Sequence, residues 1–147
     1  CDWSSDVCSS DLRNKMSEFS NYLEDAILNT TLRGVTLTGV TPYVALFETD
    51  PTDAGTGTEA ATASFPAYTR QAITFSDPAG ANTTSNSASV SFSAFDGASA
   101  TTYTHVGIYD ASTSGNLLYH TPMNYNKTLT NGDVITFTSG SVTVTID

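Results

Sequence analysis

The segment Tyr43–Phe47 is apolar on both of its faces, and this constrains the fold of the chain more than any other stretch. Alternate residues of a strand point to opposite sides of its sheet, so both sides of this segment need apolar partners. We therefore predict a core strand of a packed sheet. Residues 50–59 follow with the sequence DPTDAGTGTE, in which Asp, Pro and Gly are typical of a tight turn.

After Gly34 the sequence consists of short alternating runs rich in Thr, Val, Ile, Phe and Tyr, which Gly, Asn, Asp, Ser and Pro interrupt. This pattern predicts a mainly β fold, a jelly-roll-like β-sandwich of about eight antiparallel strands. The strands are predicted at residues 43–49, 68–75, 87–92, 102–109, 117–120, 125–129, 134–138 and 141–146.

The connections between these strands differ in length and composition. Residues 114–116 and 131–133 combine Gly with Asn or Asp, so each predicts a hairpin turn in which a positive φ costs little. Residues 54–67 and 77–87 contain few bulky apolar side chains, and we predict that both are exposed loops.

One amphipathic helix is predicted ahead of the β domain, at residues 17–33, because apolar residues recur there at spacings of three and four. Ser17 is predicted to cap its start, and Arg33 with Gly34 to favour its end. The face packs either on the sheet of the same chain or on a neighbouring protein, in which case it is a docking face. Its apolar residues are Phe19, Tyr22, Leu23, Ala26 and Ile27.

Residues 2–12, DWSSDVCSSDL, look like the translation of a sequencing adapter that is joined through residues 13–15 to a start at Met16. We predict that residues 1–15 are not native and that residues 16–147 form a single domain. A genuine polar tail is the alternative. Because both cysteines, Cys1 and Cys8, precede Met16, we expect no disulfide or thiol chemistry.

From Met16 onward the chain has three basic residues and twelve acidic residues, so its formal charge is three minus twelve, or −9. Binding to phosphates needs clustered Lys and Arg, so neither a nucleic acid nor an anionic membrane is an expected partner. The sequence also contains no apolar stretch of membrane-spanning length and no signal peptide after Met16. We expect a soluble protein.

We expect no enzymatic activity, because the chain has only two histidines and none of the common hydrolase, metalloprotease or phosphate-loop motifs. His105 and His120 both fall in or beside predicted strands. We predict that they are hydrogen-bonding residues of the sheet, since no other metal ligand stands at a suitable spacing.

The turn after the core strand is a candidate metal site. Asp50, Asp53 and Glu59 could supply oxygen ligands to calcium, although their order is not that of an EF-hand loop. The alternative is an Asx-type turn without metal, and no other cofactor is expected. Arg70 is predicted to pair with a carboxylate near this turn and to clamp it in place.

Several short motifs accompany these features: YVALF at 43–47, DPTD at 50–53, GTE at 57–59, Tyr68-x-Arg70, THVGI at 104–108 and GNLL at 115–118. Together they resemble small bacteriophage virion proteins described as tail fibre proteins, and the resemblance covers nearly all of residues 16–147. It implies a structural protein of the virion that contacts other virion proteins and is assembled in the cytoplasm of the bacterial host. It brings no catalytic residues.

Three functions agree with this resemblance. The first is a tail fibre or tail-tip component, a homo-oligomer whose loops approach the host surface. The second is a capsid decoration protein that cements neighbouring subunits. The third is a carbohydrate-binding module that contacts a host surface glycan, which requires exposed aromatic residues on one face. The candidates for that face are Tyr103, Tyr109, Tyr119 and Tyr125.

Overall fold

The computed structural model describes residues 14–16, 18–78 and 80–146. This part of the chain is mainly β with a single helix, as predicted. Most of the predicted non-native segment 1–15 lies outside it. The elements are β1 Asn14–Met16, β2 Glu18–Phe19, α1 Asn21–Arg33, β3 Tyr43–Phe47, β4 Gln71–Ala72, β5 Thr83–Ser85, β6 Val90–Ser91, β7 Thr101–Tyr109, β8 Leu117–Leu129, β9 Thr136–Phe137 and β10 Val142–Thr145.

The strands form three sheets in the described part of the chain. A five-stranded sheet has the order β2-β8-β7-β3-β4, a three-stranded sheet has the order β1-β10-β5, and β6 pairs with β9. All pairings are antiparallel except that of β1 with β10. Apolar residues of β3, β7 and β8 pack with residues of β6, β9 and β10, so the sheets share one main core.

Strand β3 is buried on both faces, which confirms the sequence prediction. Val44 and Leu46 belong to the main core, whereas Phe47 packs in a second, smaller cluster with Tyr109 and Leu117. This second cluster lies on the side of the sheet that carries the turn after β3, because Gly55 of that turn is next to Leu117. The core strand therefore fixes the base of this turn.

Strand β8 corrects the prediction of two strands at 117–120 and 125–129. It is one strand of 13 residues that pairs with β7 from Tyr109 opposite Leu117 to Thr101 opposite Leu129. The prediction ended a strand before Pro122, which has no N–H to donate. Strand β2 pairs with β8 only as far as His120, so the side of β8 away from β7 has no described ladder partner at Pro122. A proline is tolerated in a strand at such an edge.

The loop predicted at residues 77–87 contains a strand that sequence reasoning missed. Strand β5, Thr83–Ser85, pairs with β10, and the hydroxyl oxygens of Thr83 and Thr145 lie 3.0 Å apart. This edge strand has no apolar residue to produce a periodic pattern, so only its Thr residues favour a strand. The other predicted loop, 54–67, is also not wholly exposed, because Phe65 is fully buried against Phe95.

Helix α1 begins four residues later than predicted. Ser20 is its N-cap, with its Oγ accepting from the N–H of Leu23 at 3.2 Å, while Glu18 and Phe19 belong to β2. The predicted cap, Ser17, lies outside the described residues. The predicted end is confirmed, because Gly34 caps the helix in the left-handed conformation with a φ of 70°. Within the described residues, no helix is both long and apolar enough to cross a membrane.

The hydroxyl of Tyr103 is the basis of a first prediction. The side chain is fully buried, and its Oη has no hydrogen-bond partner among the described residues. Tyr103→Phe removes this unpaired group, so we expect the free energy of unfolding at neutral pH to stay the same or to rise by up to about 1 kcal/mol. Urea denaturation measures this, and a loss of more than about 1 kcal/mol would contradict it.

The same variant is expected to behave differently in alkali. Burial, together with the charge of Glu48, raises the pKa of Tyr103 to about 12. Because the folded chain holds this proton more tightly than the unfolded chain does, the wild type loses stability as the pH rises from about 10, the pKa of a free tyrosine, towards about 12. Tyr103→Phe should therefore lose less stability than the wild type between about pH 9 and about pH 11.

Candidate functional site

The acidic turn, residues 48–59, leaves the end of β3 and brings the chain back alongside the same strand. The N–H of Glu48 donates to the carbonyl of Thr58 at 2.8 Å, and Phe47 forms a β-bridge with Glu59. The N–H of Thr58 donates to the hydroxyl of Thr49, also at 2.8 Å. These contacts close the turn at its base, next to strand β3, which is itself buried in the core.

The tip of the acidic turn is compact because of two local features. The carboxylate of Asp50 accepts from the N–H of Thr52 at 2.8 Å, which is an Asx-type turn. A Cβ added to Gly57 would lie 2.5 Å from the Cα of Pro51, so a side chain does not fit there. This glycine lets the two arms of the turn approach each other.

Arg70 clamps the acidic turn to a second loop. Its Nε and Nη2 donate to the two carboxylate oxygens of Glu59 at 2.8 and 2.7 Å, which is a bidentate ion pair. Its Nη1 donates to the carbonyls of Ala111 and Ser114 at 3.1 and 2.6 Å, and its guanidinium carbon lies 3.4 Å from the ring centre of Tyr109. The predicted pairing of Arg70 with a carboxylate of this turn is confirmed.

The ion pair is largely shielded from water, with side chains that are 9% exposed for Arg70 and 23% exposed for Glu59. Burial alone would lower the pKa of Arg70, but the hydrogen bonds and charge of Glu59 raise it above its ordinary value. Tyr68 donates to Glu59 at 2.9 Å, and burial together with the charge of Glu59 raises the pKa of Tyr68. Arg70 therefore stays charged and Tyr68 neutral over the physiological range.

The second loop, residues 110–116, connects β7 to β8 and is fixed by its own hydrogen bonds. The carboxylate of Asp110 accepts from the backbone N–H and the side-chain amide of Asn116 at 2.7 and 2.9 Å. Ser114 and Gly115 have positive φ values of 53° and 72°, which confirms the predicted turn. Arg70 thus binds carbonyls whose positions are already set.

His120 connects the acidic turn to β2 and β8. Its side chain is buried, and its Nε2 lies 3.0 Å from Oδ1 of Asp53. Its Nδ1 lies 3.4 Å from Oε2 of Glu18 and 3.7 Å from Oδ1 of Asp50, and it makes no hydrogen bond to a described residue. Carboxylates from β2 and from the acidic turn therefore lie around one buried imidazole. The other histidine, His105, bonds the hydroxyl of Thr104 at 2.8 Å.

The three carboxylates predicted to bind calcium are not brought together. Glu59 is bonded to Arg70 and Tyr68, whereas Asp53 contacts His120 and Asp50 accepts from Thr52. In residues 14–16, 18–78 and 80–146, no group of three His, Cys, Asp or Glu side chains is arranged to hold a metal ion. These carboxylates instead bond to neighbouring residues and hold the acidic turn in place.

The predicted docking face of the helix packs mainly on its own sheet. Leu23 is buried in the main core, and Phe19 and Ile27 pack against that core from the side. Ala26 is partly buried, whereas Tyr22 is exposed. Of the two alternatives for this face, packing within the chain is the one that the structure shows.

The tyrosines considered for a glycan site do not form one exposed face. Tyr103 and Tyr109 are buried, and only Tyr125 is strongly exposed. A groove that sequence reasoning missed, with a volume of about 850 Å³, runs between the helix, residues 36–41 and the loop 110–116. Tyr22, Tyr43 and Tyr119 line it. The alternation of Val and Leu with Thr in residues 35–38 was the only signal in the sequence that could have indicated it.

A family model described as "Podophage GP4 fiber I protein gp80" matches residues 18–145. The match begins at β2 and includes α1, the acidic turn, Arg70 and every later strand. No curated protein matches the chain.

Replacing Arg70 is expected to loosen both loops at once. In Arg70→Ala the carboxylate of Glu59 and two carbonyls lose their donor, so we expect the free energy of unfolding to fall by about 3 kcal/mol. Arg70→Lys keeps the charge but not the bidentate geometry, so its loss should be intermediate. Urea denaturation gives both values.

Arg33 provides the matched control, because it is exposed and its side chain bonds Asn29 of its own helix and no other described residue. We expect Arg33→Ala to cost less than about 0.5 kcal/mol. Equal losses for Arg70→Ala and Arg33→Ala would show that the clamp does not stabilise the fold.

Proposed function

Because this chain belongs to the family of the podophage GP4 fiber I protein gp80, we propose that it is a structural component of a phage tail fibre or tail tip. The observation that carries the proposal is the extent of the family match, residues 18–145. A member of a phage fibre family is a part of the virion and associates with other virion proteins. We propose in addition that its place on the virion is the tail.

The fastened loops support a mechanical role. The acidic turn and the loop 110–116 are held to each other by Arg70, and to the core by Phe47 and Tyr109. Loops on a rigid sheet keep their shape when they touch another surface, which suits contact with a host cell. We propose that these two loops face the host surface.

The chemistry of the site supports the same proposal. The carboxylates and the imidazole near the acidic turn are bonded to neighbouring elements, as described above, and serve to join them. We propose that the protein has no enzymatic activity and needs no metal. We further propose that it is assembled in the cytoplasm of the bacterial host, as its membership of a phage family suggests.

Two other functions remain hypotheses. A capsid decoration protein would also be small, acidic and β-rich. A carbohydrate-binding module is supported by the groove with Tyr22, Tyr43 and Tyr119, because sugars stack on aromatic rings. Neither accounts for membership of a fibre family as directly as a place in the tail does.

Gold-labelled antibodies against the chain test the proposal on intact virions of a phage that encodes it. We expect the label on the tail, with antibodies against the major capsid protein as the control that marks the head. Label over the capsid would contradict the tail proposal and favour the decoration hypothesis.

A further inference from the structure

Beside the groove, a smaller pocket opens between the start of helix α1, the acidic turn and the loop 110–116. Its volume is about 350 Å³, which is large enough for a small ligand. Most of the side chains that line it are polar. We call it the polar pocket, and its lining includes Asn21, Tyr22, Asp53, Tyr109 and Asn116.

The walls of the polar pocket are bonded to one another. The N–H of Asn21 donates to the carbonyl of Asp53 at 2.9 Å, and the N–H of Ser20 donates to the carbonyl of Leu118 in β8 at 3.0 Å. The clamp of Arg70 holds the acidic turn to the loop 110–116. The pocket is therefore formed before a ligand enters it, which lowers the ordering cost of binding.

Three lining side chains have polar groups that bond no other described residue. These are the amide of Asn21 and the hydroxyls of Tyr22 and Tyr109. Tyr109 is only 8% exposed, and a polar group so deeply buried ordinarily has a hydrogen-bond partner. A polar ligand in the pocket can supply partners to these groups.

Two further side chains present acceptors that are already oriented. Asn116 donates its amide N–H to Asp110 at 2.9 Å, while its own Oδ1 bonds no described residue. Asp53 directs Oδ1 to His120, and its side chain remains 58% exposed. Amide and carboxylate oxygens accept hydrogen bonds from hydroxyl groups. A ligand with several hydroxyls therefore matches this set of donors and acceptors.

Tyr22 connects the polar pocket to the larger groove, because it lines both. The ring is 43% exposed, so an apolar face of a ligand can pack on it. Beyond Tyr22 the groove offers the rings of Tyr43 and Tyr119 and the hydroxyls of Thr36 and Thr38. A chain of sugar units, with hydroxyls at its edges and apolar ring faces, fits both cavities.

The charge of these cavities indicates which sugars they accept. Asp53 is the charged residue in the lining of the polar pocket, and Asp110 is the one in the lining of the groove. No described basic residue lines either cavity. A sugar with a carboxylate, sulfate or phosphate would meet these acidic groups without a cation to offset them. The chemistry therefore favours a neutral sugar.

We propose that the polar pocket binds a neutral sugar unit of a glycan on the host surface, and that the glycan continues past Tyr22 into the groove. The inference deepens the proposed function, in which the acidic turn and the loop 110–116 face the host, and it rests on that function for its biological meaning. It gives the fibre protein a specific ligand class and a specific place to bind it.

An array of immobilised neutral and acidic oligosaccharides tests this inference with the full chain. The array also carries the surface polysaccharides of the bacterium that the phage infects. We expect binding to neutral members and not to acidic members. Isothermal titration calorimetry with the neutral oligosaccharide that binds best then gives the dissociation constant of each variant.

Two substitutions on the exposed start of the helix separate the contributions of stacking and hydrogen bonding. Tyr22→Ala removes the ring between the pocket and the groove, so it should raise the dissociation constant at least about tenfold. Tyr22→Phe keeps the ring and should raise it less. Asn21→Ala removes one donor and one acceptor, and should raise it about threefold or more.

Tyr125 is the matched control, because it is an exposed tyrosine that lines neither cavity. Tyr125→Ala should leave the dissociation constant unchanged. Circular dichroism of each variant confirms that a loss of binding does not come from unfolding.

Three results would overturn the inference: a wild type that binds no member of the array, a wild type that binds only acidic members, and equal losses of affinity for Tyr22→Ala and Tyr125→Ala. The outcome is separable from that of the proposed function. A chain that labels the tail but binds no glycan would overturn only the sugar site. A chain that binds neutral glycans through Tyr22 but labels the capsid would overturn only the tail proposal.

Discussion

The ion pair of Arg70 with Glu59 is the interaction on which the arrangement of the loops depends. Through it, Arg70 joins the end of the acidic turn to the loop 110–116, whose residues Ala111 and Ser114 lie 41 and 44 positions after Arg70. A buried pair of this kind adds little net stability compared with an apolar replacement, but it fixes one geometry, because only a planar cation reaches both carboxylate oxygens and two carbonyls together. The clamp accounts for a rigid loop surface on a small domain.

Other polar contacts fasten the start of helix α1 to the sheet. His120 lies among carboxylates of β2 and the acidic turn, and Ser20 bonds the backbone of β8 while it caps α1. The first turn of the helix is therefore tied to the sheet, whereas Leu32 and Val35 at its end are exposed.

The buried core strand and the ion pair of Arg70 could both be predicted from the sequence. The two apolar faces of Tyr43–Phe47 required burial on both sides, and a cationic residue beside an acidic turn required a partner. The hydrogen bonds of Arg70 to the carbonyls of Ala111 and Ser114 could not be predicted, because every residue has a backbone carbonyl and the sequence does not indicate which ones are used. Ser17 and Ser20 are equally good caps locally, and only the bond to β8 selects Ser20. The exposure of Leu32 and Val35 could not be predicted either, because it depends on where the neighbouring elements lie, which no local pattern records.

The most direct test of this account is a reconstruction of the virion by electron cryomicroscopy. The account predicts that density for this fold lies in the tail and that the acidic turn with the loop 110–116 faces outward. Density on the capsid, or an acidic turn that is covered by another virion protein, would contradict it.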